Sequence, residues 1–140
     1  MDDSNFPGAI IDIPVRFAET DAMGVVHHAA YVVWFEAGRV ALMDAAGTPY
    51  VQVADGGHHF AVTRLDVEYR GSIRFGETVK LETRVMALRS RQVRFGYRVY
   101  NGAGALAATG HTDHICVDLD GRSAKIPAAV LEQLQNRATE

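Results

Sequence analysis

Ala29-Ala30-Tyr31-Val32-Val33-Trp34-Phe35-Glu36-Ala37-Gly38-Arg39-Val40-Ala41-Leu42-Met43-Asp44-Ala45-Ala46 contains only three charged residues, Glu36, Arg39 and Asp44. Tyr31, Val32, Trp34, Phe35, Val40, Ala41, Leu42 and Ala45 spread apolar surface around most of a helix, and Gly47 and Pro49 end the pattern. Glu36 and Arg39 stand three apart, close enough on a helix surface to pair along the narrow stripe that avoids the core. A helix this apolar needs a sheet to enclose it.

Moving outward, both flanks supply strands. Before the helix, Ile10 to Phe17 is rich in β-branched residues and ends in the polar group Glu19, Thr20, Asp21, with a break at Gly24. After it, Leu65, Val67 and Tyr69 alternate with Arg64, Asp66 and Glu68. Val79, Leu81, Thr83 and Val85 alternate with Lys80, Glu82 and Arg84, and Val93, Phe95, Tyr97 and Val99 with Gln92, Arg94, Gly96 and Arg98; each has the period of a half-buried strand. Asn101-Gly102 is a hairpin signal leading into a last strand near Ala105 to Val117, and Asp120-Gly121 turns the chain again. Pro127 suits the first turn of a short closing helix through about Gln135, with Val130, Leu131 and Leu134 inward. The order predicts an α+β fold, one antiparallel sheet of five strands wrapped around a long central helix. Uncovered sheet edges and helix flank predict a homo-oligomer, a dimer or tetramer.

At 140 residues the chain has the size of one domain, read here as spanning 1–140. Its composition, 48% hydrophobic and 22% charged, can supply a core. No apolar run reaches the length of a membrane span, and Met1 to Pro7 carries two aspartates and no basic residue, unlike a secretory leader. The single cysteine, Cys116, cannot form an internal disulfide, so a cytoplasmic protein is expected, with Cys116 as a small core residue. The net charge of −3 disfavours nucleic acid as a partner. Between Arg64 and Arg98, however, nine basic residues face four acidic ones, a local +5. Eight of the nine are arginines, whose fork suits phosphate, although a solvated strand face accounts for such a run equally well.

The chemistry is concentrated between the first strand and the helix, in Arg16-Phe17-Ala18-Glu19-Thr20-Asp21-Ala22-Met23-Gly24-Val25-Val26-His27-His28-Ala29-Ala30-Tyr31. This segment resembles the signature of hotdog acyl-CoA thioesterases of the 4-hydroxybenzoyl-CoA type, including the Tol-Pal-associated subgroup. There an aspartate is followed by glycine, two aliphatics, an aromatic or histidine pair and the central helix. The resemblance continues more loosely through Trp34 to Arg39, Tyr69-Arg70, Gly76-Glu77 and Ile126-Pro127. It departs at His27, where relatives more often carry an aromatic residue, and at Gly71-Ser72, where proline and alanine are common.

The resemblance implies a hotdog fold and hydrolysis of acyl-CoA to free acid and coenzyme A. No cofactor is implied, coenzyme A being part of the substrate. It carries the catalytic carboxylate onto Asp21, as nucleophile or general base, and the oxyanion-binding amide onto His28, whose ring would position or polarise the thioester. Gly24, Val25, Val26 and His27 would shape the approach, Val25 and Tyr31 with residues of an opposing subunit would line the acyl pocket, and Arg89-Ser90-Arg91 would meet the phosphates, with Arg70 and Arg74 as secondary contacts. The physics agrees, since thioester hydrolysis needs a base or nucleophile and oxyanion donors, and the first amides of a helix starting near Val26 to Ala30 have no internal partners. Asp21 taken alone fits a turn or cap better, and it is the full motif that reverses this. Glu19, two residues away, would face the other side of a continuing strand and reads as structural. The six histidines do not form a metal motif: His111 and His114 would face opposite sides of a strand, and neither a thiolate cluster nor a His-Glu-x-x-His helix is present. The alternative to an enzyme is a non-catalytic acyl-CoA or acyl-carrier-protein binding or scaffold module.

Overall fold

A computed structural model describes residues 6–138, so most of the Met1 to Pro7 stretch lies outside the described residues. The chain runs β1 (Ala9–Pro14), a 3-10 turn (Phe17–Glu19), α1 (His28–Ala45), α2 (Tyr50–Asp55), β2 (His59–Tyr69), β3 (Thr78–Leu88), β4 (Gln92–Tyr100), β5 (Leu106–Val117) and α3 (Ala128–Gln135). The five strands form one antiparallel sheet in the order β1-β3-β4-β5-β2. This is the hotdog arrangement, with α1 as the filling.

The buried residues of α1, Ala30, Tyr31, Trp34, Phe35, Gly38, Leu42 and Met43, recur at helical spacing and form one stripe. That stripe meets Leu81, Val85, Phe95, Tyr97 and Val99 of β3 and β4 in the core. Phe35 stacks on Tyr97 with ring centroids 4.0 Å apart. At Gly38 the helix approaches the sheet so closely that an added Cβ would collide with the Thr83 hydroxyl and lie 2.8 Å from Leu81 Cδ2.

Several sequence expectations need correcting. The first strand does not extend to Phe17: it ends at Pro14, and the chain coils into the 3-10 turn. α1 is not enclosed on most sides, because Val32, Val33 and Val40 remain exposed. Arg39 does not pair with Glu36 but donates to the Tyr97 hydroxyl at 3.1 Å. In the β4–β5 hairpin the left-handed residue is Gly104, not Gly102; the Asn101 side chain accepts the Ala103 and Ala105 amides and lengthens the turn. Pro127 is the cap of α3 and not part of its first turn. α2, a single short turn of helix after Pro49, has no counterpart in the periodicity.

β2 departs furthest from expectation. It lies at the sheet edge, paired among the described residues only with β5, and eight of its 11 residues are exposed, including Val62, Leu65 and Tyr69. The alternation that predicts a half-buried strand is present, and Phe60 and Val67 pack against the core, but Leu65 and Tyr69 stay exposed. No helix among the described residues is long and apolar enough to cross a membrane.

Candidate active site

The link from β1 to α1 is a small closed loop. Glu19 C=O accepts the His27 amide at 2.9 Å and Val25 C=O the Asp21 amide at 2.8 Å, while Thr20 and Val26 form an antiparallel bridge. Its outer limb is tied to the segment after β2: Val26 N–H donates to Ile73 C=O at 2.8 Å, and Val25 bridges to Arg74. The tip turns back through Gly24 at φ +79°, a conformation a residue with a Cβ adopts only under strain.

Asp21 is exposed on this tip. Its Oδ1 accepts the Met23 amide at 2.8 Å and the Val25 amide at 3.3 Å, so the turn fixes the carboxylate's orientation, while Oδ2 has no partner among the described residues. The turn role and a chemical role are therefore compatible. His27 is the cap of α1 and His28 its first residue. The His28 and Ala29 amides meet no acceptor among the described residues, leaving two donors at the positive end of an 18-residue helix. Tyr69 holds this end from β2, donating its hydroxyl to His28 C=O at 3.0 Å.

The structure brings Asp21, Gly24, Val25, Val26, His27, His28, Arg70 and Arg74 to one end of the sheet. An added Cβ on Gly24 would lie 3.6 Å from the Arg74 guanidinium, so that arginine covers the turn. Tyr31 is there too but buried, its ring 5.0 Å from both Trp34 and Tyr69, so it supports the site from behind and does not wall an open pocket. Burial raises its hydroxyl pKa, with Tyr69 and Glu77 adding to the effect.

Arg89, Ser90 and Arg91 are not in this group. They form the β3–β4 turn at the opposite end of the sheet, separated from the Asp21 end by the 11 residues of β3, roughly 35 Å at strand rise. Of the nine basic residues between Arg64 and Arg98, Arg64, Arg70, Lys80, Arg84 and Arg94 lie within 4.0 Å of a carboxylate. The basic run is thus largely a paired surface, and Arg74, Arg89 and Arg91 are among the arginines with no carboxylate within 4.0 Å among the described residues.

Two features were not read from the sequence. Glu19 is buried: its Oε1 accepts the Arg16 amide at 2.8 Å, and its Oε2 accepts Trp34 Nε1 at 2.7 Å and Arg16 Nη2 at 3.1 Å. Burial pushes its pKa up, but these bonds outweigh that and hold it below the usual value. The expectation that Glu19 faces away assumed a continuing strand, which the 3-10 turn replaces.

The second is a cavity of about 290 Å³ lined by Glu36, Arg39, Val40, Met43, Tyr50, Phe60, Phe95 and His114. It lies between the later turns of α1 and the β2 side of the sheet, away from the Asp21 turn. His114 is 2% exposed and its Nε2 bonds Thr112 Oγ1 at 2.8 Å; burial first, and Arg39 second, lower its pKa to about 4. Alternation along β5 does place Thr112 and His114 inward, but a cavity assembled from five elements leaves no local pattern. No group of three or more potential metal ligands occurs among the described residues.

Comparison with known proteins gives a consistent family. The thioesterase-like superfamily matches residues 15–134. YneP of Bacillus subtilis (strain 168), whose acyl-CoA thioesterase assignment is itself provisional, is 38% identical over 107 residues, 76% of this chain and 78% of its own. The hypothetical protein TT1821 of Thermus thermophilus superposes with a TM-score of 0.88 at 42% identity, covering 94% of this chain and 98% of that one. A DHNA-CoA thioesterase from Staphylococcus aureus gives 0.81 at 36% identity, over 83% of this chain and 78% of its own.

Proposed function

The chain belongs to the thioesterase-like superfamily, and on that premise we propose that it hydrolyses acyl-CoA thioesters, with Asp21 driving the attack and the amides opening α1 holding the oxyanion. The observation that carries the reading is that one closed loop brings an exposed, oriented carboxylate and two helix amides without an acceptor among the described residues to the same end of the sheet.

In the general-base form, Asp21 Oδ2 takes a proton from water as its oxygen adds to the thioester carbonyl carbon. The negative charge that develops on the carbonyl oxygen is met by the His28 amide. Collapse breaks the C–S bond, and the proton held by Asp21 passes to the departing thiolate. In the nucleophilic form, Asp21 Oδ2 adds to the same carbon, the thiolate leaves, and water cleaves the resulting anhydride. Neither route requires a cofactor, and an amide donor of this kind typically contributes a hundredfold to a thousandfold in rate, roughly.

The working form is proposed to be a homodimer joined through the exposed edge of β2. Antiparallel pairing of two β2 edges would set the Asp21 end of one sheet beside the end of the other that carries Arg89-Ser90-Arg91 and the cavity. The phosphates and the acyl group would then be held largely by the second copy. The cavity is lined about equally by apolar side chains, Val40, Met43, Phe60 and Phe95, and by polar ones, Glu36, Arg39, Tyr50 and His114. It suits a compact acyl group of aromatic size carrying hydrogen-bonding substituents, a reading supported by the similarity to the DHNA-CoA thioesterase. The reaction is proposed to take place in the cytoplasm.

The test is thiol release from short, long and aromatic acyl-CoAs by wild type and Asp21→Asn. Wild-type release, highest on the aromatic esters and reduced about a hundredfold or more in the variant, is the expected result. No release across the panel would favour a non-catalytic acyl-CoA or acyl-carrier-protein binding module, and release indifferent to Asp21 would sink the mechanism.

A further inference from the structure

We propose that Glu19 is a positioning residue for the reaction, its buried carboxylate locking the Asp21 turn and the oxyanion-binding start of α1 into one rigid unit. This rests on the proposed role of the Asp21 turn and adds the element that holds its two halves together.

Glu19 stands where three pieces of chain meet. Its main chain closes the neck of the loop, accepting the amide of His27, the residue immediately before His28. Oε1 reaches back to the Arg16 amide and fixes the 3-10 turn from which Asp21 departs. Oε2 reaches forward to Trp34 Nε1, within α1 itself. One side chain therefore ties the approach to Asp21 to the helix whose first amides lie at the same end of the sheet.

An acid suits this position better than an amide. Donors arrive at both oxygens, two of them on Oε2, whereas glutamine offers one acceptor oxygen and must release either the turn or the helix. The negative charge, which would otherwise oppose an oxyanion nearby, is matched by the Arg16 guanidinium at 3.1 Å. Trp34 is 2% exposed and packs on Tyr31, so the donor cannot follow a displaced loop.

The experiment compares wild type, Glu19→Gln and Trp34→Phe, the last keeping an aromatic ring but deleting the donor. In each, kcat and KM are measured on the best acyl-CoA, and amide hydrogen exchange is followed in peptides covering 19–28. Misplacing reacting groups by about 1 Å can cost about a hundredfold in rate. Both variants should therefore lose at least about tenfold in kcat with KM within about twofold of wild type. Exchange should rise in 19–28 while the strands of the sheet stay protected. A merely structural residue would instead lower protection throughout and leave kcat per folded molecule unchanged; that result, or unchanged exchange in 19–28, overturns the proposal. If wild type itself releases no thiol, the hydrolase reading fails, and the exchange result alone decides whether Glu19 clamps the loop.

Discussion

An exposed aspartate that accepts two amides of its own turn is ordinarily a local capping group, and Asp21 does accept the Met23 and Val25 amides. What distinguishes it is the company of the His28 and Ala29 amides, which have no acceptor among the described residues and which the turn brings to the same end of the sheet. That much was legible from sequence, since an acid, a glycine and a helix start lie within eight positions. The role of Glu19 was not, because its contact with Trp34 spans fifteen residues and depends on a 3-10 turn that β-branched composition does not announce. Also at this scale, His114 gives the protein a pH signature. Its folded pKa, about 4, lies below the ordinary 6.5, so between these values the unfolded chain binds the extra proton and stability falls as the pH is lowered. The loss should approach roughly 3 kcal/mol by pH 4, at about 1.4 kcal/mol for each pH unit that separates the folded from the unfolded value. Urea denaturation between pH 7 and 4 measures it, and His114→Asn should remove most of the slope above about pH 4.5; an unaltered slope would place the titrating group elsewhere.

Among the elements, α1 and the central strands were readable because each repeats its apolar residues at the period of its own backbone. α2 was not, since six residues after a proline leave no room for a period to show. α1 also holds a position where intrinsic preference and packing disagree. Alanine in place of Gly38 would favour the helix by about 1 kcal/mol, yet its methyl would collide with Thr83, whose β-branched side chain is fully buried and has nowhere to retreat. Packing should win: overpacking of this kind costs roughly 1–3 kcal/mol before the helical gain is subtracted. Gly38→Ala is expected to lower the urea midpoint, and a rise would mean that the helix can move off the sheet freely.

For the whole molecule, the telling feature is that the chain leaves one side of its sheet unfinished. β1 also lies at an edge, but it is short and contacts α1, whereas β2 is long and leaves Val62 and Leu65 exposed. Unprotected edges of this kind pair with another chain unless something blocks them. On the proposed β2 pairing, introducing lysines at Val62 and Leu65 should turn the dimer into a monomer in sedimentation velocity and abolish thiol release, because each proposed site draws on both copies. A double variant that stays dimeric would move the interface to another face, and one that is monomeric but active would confine the site to a single chain. Sequence reading predicts a partner but does not locate it, since strand order is set by contacts that no local pattern records.

The same strand order fixes when the protein can fold during synthesis. β1 pairs with β3, Ala9 opposite Thr83, and β2 with β5, His59 opposite Val117. Both edge strands are made early and wait for partners made late, so the apolar face of α1 emerges from the ribosome well before the sheet that covers it can exist. Long-range pairings of this kind close slowly. A nascent chain halted after β4 lacks the strand that joins β2 to the rest, so β2 stays unpaired beside an incomplete sheet, the kind of surface that chaperones bind and aggregates grow from.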